Sequence, residues 1–358
     1  MTEMTLTSGK IGLIGIFPPP SGGQGFYNVY VYEELRRRGW PVTPIDVSGV
    51  ESPSHRYLHT PTRMALFREL LHGSYTCFLL TASDSRHLGF EFLSAFAAHI
   101  RHAPFFYNIL AGRFADRYAS YCRGHRLFIR YALRRARCIF VSNEDQARHI
   151  SRILGHTEND IRVIGCRIPI GDAVNENPDL IQFIRSGNPG IVSVGAMREA
   201  YGFPLLIRAC GRLAEDGFNP SVLIVISGVE DASARTKVNA AIDETRDTVS
   251  VSIRRELPHD EVLGAIHSAD LLVRPTYFDG DSLTIHEAIQ LGTRVVASDA
   301  APRPRGVHIH RSGDIGSLKT RIIHALKSRA SYCSEGDNLD PVSHIEYAIR
   351  ENCGDLSP

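Results

Sequence analysis

Leu272-Val-Arg-Pro-Thr-Tyr-Phe-Asp-Gly-Asp-Ser-Leu-Thr-Ile-His-Glu287 is the stretch that decides the fold. A strand-like run leads into a loop that contains Gly280, and a helical pattern that carries a carboxylate follows. Glycine lets the backbone approach a ligand closely, and the first N–H groups of a helix attract anions. We therefore predict a phosphate site at this turn, formed by Gly280 and the N–H groups of Ser282, Leu283 and Thr284.

Two carboxylates flank this predicted phosphate site. Asp279 and Glu287 are eight residues apart, so they lie on either side of the helix start. One is placed to reach a sugar beyond the phosphates and the other to reach the ribose behind them, which indicates a nucleotide-sugar. Asp281 or Ser282 is placed to cap the helix.

A purely structural interpretation of these acidic residues stays open. Asp279 and Asp281 would then be turn and cap residues, and Glu287 a solvated helix position. The neighbours of Glu287 are apolar, however, and its spacing from Asp281 is not that of a capping box. Asp279-Gly-Asp281 also mimics a metal-binding D-x-D pattern, but its place at a helix start favours direct binding of an anion by the helix dipole, without metal.

The same residues resemble those of retaining glycosyltransferases of the GT-B class, family 4, whose mark is two acidic residues separated by seven others. The matching run here is Asp279-Gly-Asp-Ser-Leu-Thr-Ile-His-Glu287. The next run, Ala288-Ile-Gln-Leu-Gly-Thr-Arg-Val-Val-Ala-Ser-Asp299, is similar to the family's A-x-x-x-G-x-P-V-V-A-S-D, with Arg294 in place of proline. The resemblance implies a metal-independent hexosyltransferase that takes a nucleotide-diphosphate-sugar as donor and needs no cofactor. It also implies catalytic roles for Asp279, on the sugar hydroxyls, and for Glu287, on the ribose.

A second loop departs from the family pattern. Ser193-Val-Gly-Ala-Met-Arg-Glu-Ala-Tyr-Gly202 resembles the family's V-G-R-L-x-x-x-K-G loop, whose arginine and lysine bind the donor diphosphate. Ala196 stands at the arginine position and Tyr201 at the lysine position. Arg198 is the nearby cation and is equally suited to a solvated loop position; we place it with Tyr201 on the donor side. Losing two charge-assisted contacts of about 1.5–3 kcal/mol each predicts weaker donor binding unless another base substitutes.

A glycine-rich loop, Pro18-Pro-Pro-Ser-Gly-Gly-Gln-Gly25, joins the first predicted strand to the first predicted helix. It resembles the family's Gly-Gly loop over the donor diphosphate, and Gly22 and Gly23 match. A dinucleotide fingerprint is the competing interpretation, but it requires glycine where Asn28 stands. An NAD-dependent oxidoreductase therefore remains an outside alternative.

The segment Tyr107-Asn-Ile-Leu-Ala-Gly-Arg-Phe114 lies where many relatives carry a His-Gly pair close to the reacting sugar. Ala111-Gly112 replaces that pair. In the family the leaving diphosphate takes the acceptor's proton, so the missing histidine is compatible with activity. The candidate residues on the acceptor side are Asn108, Arg113 and Asp116.

Length and composition restrict the class of protein. A chain of 358 residues is long enough for two domains, and its net charge of +1 gives no argument for a nucleic-acid partner. The seven cysteines show no C-x-x-C spacing, which argues against zinc and against a disulfide framework. Without a signal-peptide pattern or a run long enough to span a membrane, we expect a cytoplasmic protein.

Short apolar runs alternate with helical patterns along the chain, as in parallel α/β folds. With the resemblance, this alternation predicts a GT-B fold: two doubly wound Rossmann-like domains facing a central cleft, where such sheets bind ligands. We predict an N-terminal acceptor domain over 1–170, a loop-like linker over 171–189 and a C-terminal donor domain over 190–335. The resemblance implies that a helix within 336–358 packs back on the N-terminal domain.

The segment Arg123-Gly-His-Arg-Leu-Phe-Ile-Arg-Tyr-Ala-Leu-Arg-Arg-Ala-Arg137 is basic and has the pattern of an amphipathic helix. Such a helix usually covers a domain core. It is also suited to lie on an anionic membrane surface, in which case the acceptor is a lipid-linked saccharide.

These observations predict a retaining glycosyltransferase of polysaccharide or glycoconjugate biosynthesis. It would move a sugar from a nucleotide-sugar donor to a glycan, lipid-linked or small-molecule acceptor. The alternative from another class is a catalytically weak GT-B homologue that acts as a nucleotide-binding or partner subunit, because Ala111, Ala196 and Tyr201 replace family residues.

Overall fold

The computed structural model describes residues 10–18, 22–49, 56–60, 62–82, 89–110, 112, 114–155, 160–170, 174–228, 230–328 and 340–353. The chain divides into two compact units. The N-terminal unit comprises Met1–Cys166 and Leu339–Pro358, and the C-terminal unit comprises Arg167–Asn338.

The N-terminal unit is built on a parallel sheet with the strand order β3-β2-β1-β4-β5-β6-β7. The strands are β1 Lys10–Gly15, β2 Val42–Asp46, β3 Leu58–His59, β4 Tyr75–Ala82, β5 Phe105–Ile109, β6 Cys138–Val141 and β7 Asp160–Val163. Helices cover both faces of such a sheet, so its central strands are near-continuous apolar runs. Most residues of β1, β4, β5 and β6 are buried accordingly.

Helices connect these strands. They are α1 Gly23–Arg37, α2 Arg63–His72, α3 Phe90–Ile100, α4 Phe114–Ser120, α5 Arg123–Arg135 and α6 Glu144–Leu154. Helix α5 turns Ile129, Ala132 and Leu133 into the core, at the spacing of one helix face. The helix predicted within 123–137 is therefore present as α5, and the face that carries these three residues is buried.

The last helix, α13 (Pro341–Asn352), contacts α1 and belongs to the N-terminal unit. Arg38, which follows α1, donates hydrogen bonds of 2.7 Å to Asp340 and to Glu346. Trp40 is buried and donates to the same Glu346 carboxylate. The predicted return of the C-terminal helix to the N-terminal unit is confirmed.

The C-terminal unit is built on a second parallel sheet, with the order β10-β9-β8-β11-β12-β13. Its strands are β8 Gly190–Gly195, β9 Ser221–Ile226, β10 Ser250–Arg255, β11 Leu271–Arg274, β12 Arg294–Ser298 and β13 His308–His310. Its helices are α7 Pro178–Arg185, α8 Phe203–Ala214, α9 Ala232–Glu244, α10 His259–Ser268, α11 Leu283–Gln290 and α12 Ile315–Lys327. Separate apolar clusters fill the two faces of this sheet.

The segment 171–189, predicted to be a loop-like linker, contains helix α7. The Asn177 side chain accepts hydrogen bonds from the N–H groups of Asp179 and Leu180, and Pro178 occupies the first turn. Leu180 and Ile184 are buried against the sheet of the C-terminal unit. The helix was not predicted, because it has only two buried apolar residues and its flanking residues are polar.

Both sheets are parallel and covered by helices, which confirms the predicted α/β fold class. Among the described residues, no helix combines the length and the apolar character that crossing a membrane requires.

Candidate functional site

The strand order of the C-terminal sheet reverses between β8 and β11. Ligands of open α/β sheets bind outside the carboxyl ends of the strands at such a reversal. The loops that leave these two strands, 196–202 and 275–282, are joined there: the Tyr277 N–H donates to the Ala200 carbonyl at 2.8 Å. The two loops that we predicted to bind the donor therefore meet at one edge of this sheet.

Gly202 makes the contact between these loops close. Its φ of +65° lies in the left-handed region, and a Cβ there would be 2.0 Å from the Pro275 carbonyl oxygen. Only glycine fits this position without moving backbone.

Helix α11 begins at Leu283, directly after the loop. Ser282 holds the N-cap position, but its side chain makes no capping hydrogen bond. The N–H groups of Leu283 and Thr284 lie in the first turn and have no acceptor within the helix. The helix start predicted from the sequence is thus in place, although the predicted cap by the Ser282 side chain is not formed.

Asp279 is buried in a network of hydrogen bonds. Its Oδ1 accepts from Arg274 Nη2 at 2.9 Å and from the Gly280 N–H at 3.0 Å. Its Oδ2 accepts from Arg274 Nε at 2.7 Å, from Arg303 Nη1 at 2.8 Å and from Thr276 Oγ1 at 3.4 Å. Burial by itself would raise the pKa of Asp279, but the Arg274 and Arg303 guanidiniums outweigh it and hold the pKa at about 2. Asp279 is therefore ionised at neutral pH.

Tyr201 packs on this network from the other loop. It ends a short 3-10 turn, Glu199–Tyr201, and its ring centre lies 5.4 Å from the Arg274 guanidinium carbon. A Cβ on Gly195 would collide with the Tyr201 ring, so this glycine makes room for it. Position 201, where the resembled family has lysine, thus carries an aromatic ring that packs against Arg274 of β11.

Arg198 precedes the 3-10 turn and is partly buried. Its N–H donates to the Ala196 carbonyl at 2.7 Å, and its carbonyl accepts from the Tyr201 N–H at 3.0 Å. The backbone of Arg198 therefore shapes this loop.

Glu287 lies on α11 and is buried. Its Oε1 is 2.7 Å from Nε2 of His259, the first residue of α10. A solvated helix position, the structural alternative from the sequence, does not fit a buried carboxylate with a histidine partner. Asp281 has a similar partner, because its Oδ1 forms a short hydrogen bond with His286 Nε2.

Comparison with known proteins shows which family the C-terminal unit resembles. Residues 179–331 match the family model described as Glycosyl transferases group 1. The match lies within the C-terminal unit, which is similar to this family over that range. The matched range contains both joined loops and helix α11. The comparison with curated proteins finds no match to this sequence.

Several solved structures share the fold of this chain. Sucrose-phosphate synthase from Thermosynechococcus elongatus is similar, with 18% identity over 97% of both chains and a TM-score of 0.67. Anabaena HepE in complex with UDP and glucose is 13% identical over 96% of this chain and 95% of its own, with a TM-score of 0.65. The trehalose-phosphate synthase of Burkholderia xenovorans with glucose-6-phosphate is 13% identical over 96% of both chains, with a TM-score of 0.64. These similarities confirm the GT-B fold.

The remaining predicted site residues belong to the N-terminal unit. Gly22 is the N-cap of α1 and Gly23 its first residue, and open space surrounds both at the Cβ position. Asn108 is buried and donates from Nδ2 to the Tyr27 hydroxyl at 3.1 Å, so its side chain is part of the interior. Asp116 is exposed in the first turn of α4. Arg113 lies outside the described residues.

Four side chains at this sheet edge were not among the predicted site residues: Arg274, Arg303, His259 and His286. A signal existed for Arg274, because an arginine in an otherwise apolar strand requires a buried partner. No local pattern marks Arg303, which lies 24 residues beyond Asp279.

Proposed function

We propose that this chain is a retaining glycosyltransferase that moves a hexose-type sugar from a nucleoside-diphosphate sugar to an acceptor hydroxyl. The observation that carries the proposal is the sheet edge between β8 and β11, where the first turn of α11, the Arg274 guanidinium and the buried Glu287 carboxylate are assembled. A helix N-terminus and an arginine suit a diphosphate, and a carboxylate suits the two hydroxyls of a ribose.

In this proposal Glu287 accepts hydrogen bonds from the donor ribose. His259, 2.7 Å away, fixes the orientation of the Glu287 carboxylate. The N–H groups of Leu283 and Thr284 bind the diphosphate. A uracil nucleotide is the first donor to test, because the similar HepE was crystallised with UDP and with UDP-glucose.

Metal independence is part of the proposal. Arg274 and Arg303 occupy the oxygens of Asp279, and Asp281 is bonded to His286, so both carboxylates of the D-x-D pattern already have partners. The positive groups that a metal ion would otherwise supply are arginines and helix N–H groups. Retention follows the family resemblance, in which the leaving diphosphate takes the proton of the acceptor. The acceptor is a glycan, a lipid-linked saccharide or a small sugar, in polysaccharide or glycoconjugate biosynthesis.

Calorimetric binding of UDP, GDP and ADP tests the donor site. We expect the wild type to bind one of the three, and Glu287→Ala to weaken it at least about tenfold, since a hydrogen bond to a charged group is lost. Glu215→Ala is the control, because Glu215 is exposed at the end of α8, away from the joined loops.

Catalysis is tested by the release of free nucleoside diphosphate from a panel of donor sugars with glucose, glucose-6-phosphate and lipid-linked saccharides as acceptors. Nucleotide binding without release across the whole panel would favour the catalytically weak homologue, to which Ala196 and Tyr201 point. Absence of binding by all three nucleotides would contradict the proposed function.

We also propose that α5 brings the protein to the cytoplasmic membrane surface. Residues 117–143 contain seven arginines and no acidic residue. On α5, Leu127 and Phe128 are 64% and 47% exposed among these arginines, although the core side of the helix is already filled. Basic residues around exposed apolar side chains suit an anionic lipid surface.

Sedimentation with lipid vesicles tests this contact. We expect binding to phosphatidylglycerol vesicles, little binding to phosphatidylcholine vesicles, and loss of binding for Leu127→Ser combined with Phe128→Ser. Ile309→Ser, an exposed apolar position in the C-terminal unit, is the control. Equal sedimentation of the double variant and the wild type would contradict the proposal.

A further inference from the structure

Arg274, Asp279 and Arg303 form a cluster with two positive charges and one negative charge. Their side chains are 13%, 7% and 1% exposed, respectively. In the part of the chain that the structure describes, Asp279 is the carboxylate within ion-pair distance of both guanidiniums, and no second carboxylate is. A nearly buried cluster with a net charge of +1 favours the binding of an anion, because the uncompensated charge has lost its hydration.

Arg274 is the arginine that a ligand can reach. Arg303 is 1% exposed and also donates to the Ser298 carbonyl, whereas the Arg274 side chain keeps 13% of its surface exposed and packs beside Tyr201. Arg274 uses three of its five N–H groups, two toward Asp279 and one toward the Val194 carbonyl. A side-chain hydrogen bond to Tyr201 takes a further N–H group, which leaves one N–H on the terminal nitrogens for another acceptor.

Asp279, in contrast, has no capacity for a sugar hydroxyl. A carboxylate offers about four lone-pair positions. The two oxygens of Asp279 already accept five hydrogen bonds, three of them from guanidinium groups. One of the five comes from the Gly280 N–H, so Asp279 also fixes the loop that leads into α11 relative to Arg274.

We infer that Arg274 binds the diphosphate of the donor, and that Asp279 is a positioning residue that holds Arg274 and does not contact the donor sugar. The inference rests on the proposed function, which supplies the diphosphate. Arginine presents its N–H groups in a planar fork that matches phosphate oxygens, and the first turn of α11 completes the same site.

The position of Tyr201 allows a rescue experiment for the proposed role of Arg274. Its ring lies against the Arg274 guanidinium, and Arg274 comes from β11, the strand next to β8. A lysine at position 201 would bring an ammonium group to nearly the same place from the other loop. Tyr201→Lys therefore offers a rescue of an Arg274 variant.

The first experiment compares the nucleoside diphosphate that the wild type binds best with its parent nucleoside. Calorimetry measures the former, and ligand-observed NMR the latter. We expect Arg274→Met to weaken the diphosphate about 10- to 100-fold and to change nucleoside binding less than twofold. Adding Tyr201→Lys should recover at least about tenfold of this loss.

The outcomes separate this inference from the proposed function. Absence of diphosphate binding by the wild type would overturn both. Wild-type affinity of Arg274→Met for the nucleoside diphosphate would overturn only the role of Arg274. An equal loss of affinity for the nucleoside and the diphosphate would do the same, because it indicates a purely structural effect. If Arg274→Met fails to fold, Arg274→Lys replaces it; a point charge without the fork should still weaken diphosphate binding.

Asp279→Asn tests the positioning role. If Asp279 holds Arg274, this variant weakens the nucleoside diphosphate and the corresponding nucleotide-sugar by the same factor. If Asp279 contacts the sugar, the nucleotide-sugar loses at least about tenfold more affinity than the diphosphate. The second result would contradict the inference.

Discussion

Arg274 donates through Nε and Nη2 to both oxygens of Asp279, at 2.7 and 2.9 Å, across a loop of only four residues. The pair joins the end of β11 to the loop before α11, and Arg303 reaches the same carboxylate from the segment after β12. Three segments at the carboxyl edge of the sheet therefore depend on one buried negative charge.

We expect Asp279→Asn to destabilise the protein strongly. Removing the charge leaves two guanidiniums without a counter-ion in a nearly buried site, and breaking a buried ion pair costs about 3–5 kcal/mol. Urea denaturation should show a lower midpoint with an unchanged slope. Asp243→Asn removes the partner of the exposed Arg246 and should cost less than about 0.5 kcal/mol. Equal costs for the two variants would show that the cluster does not stabilise the fold.

Gly202→Ala should separate the joined loops. Gly217 is the matched control, because both glycines have positive φ but no atom lies within 4 Å of a Cβ on Gly217. We expect alanine at position 217 to cost about 1 kcal/mol from backbone strain alone. Alanine at 202 should cost at least about 2 kcal/mol more, because its Cβ meets the Pro275 carbonyl, and should weaken nucleotide binding as well. Similar melting temperatures for the two variants would contradict this account.

Glu91 makes the stability of the N-terminal unit depend on pH. It lies in the first turn of α3, and burial raises the pKa of its carboxyl to about 7, despite opposing backbone hydrogen bonds and Arg63. The folded state thus binds this proton more tightly than the unfolded chain does. The resulting stability is fully present below about pH 4.5 and is lost as the pH rises through 7.

Glu91→Gln should remove this dependence. We expect the variant to match the wild type near pH 4.5 and to exceed its stability at pH 8 by up to about 3 kcal/mol, as measured by urea denaturation at both pH values. Glu144→Gln changes an exposed acidic residue in the first turn of α6 and is the control. A Glu91→Gln effect that is independent of pH would refute the assignment.

Arg38→Met should release α13 from the N-terminal unit. The Arg38 guanidinium reaches Glu34, Asp340 and Glu346, each at 2.7 Å, so its loss leaves three carboxylates close together. We expect a loss of about 3 kcal/mol and faster amide hydrogen exchange over residues 341–352. Arg37→Met is the control, because the neighbouring Arg37 is 72% exposed and bonds only Glu34 among the described ion pairs. Unchanged exchange in α13 would show that apolar packing alone holds the helix.

The sequence pattern accounts for the central strands of the C-terminal sheet. Apolar runs in the sequence coincide with β8, β9 and β11, because strands buried on both faces require continuous apolar sequence. The edge strands β3 and β13 escaped prediction, since two or three residues carry no pattern. Helix α7 escaped because its buried residues are few and its flanks resemble a loop.

The sequence by itself determined the alternation of strands and helices, the turn before α11, and the spacing of Asp279 and Glu287, because these features depend on neighbours within about ten residues. Only the tertiary structure decided the partners of those side chains. Arg303 reaches Asp279, His259 reaches Glu287 and Tyr201 reaches Arg274 because parallel strands bring distant loops to one sheet edge. The strand order sets these contacts, and no local pattern encodes it.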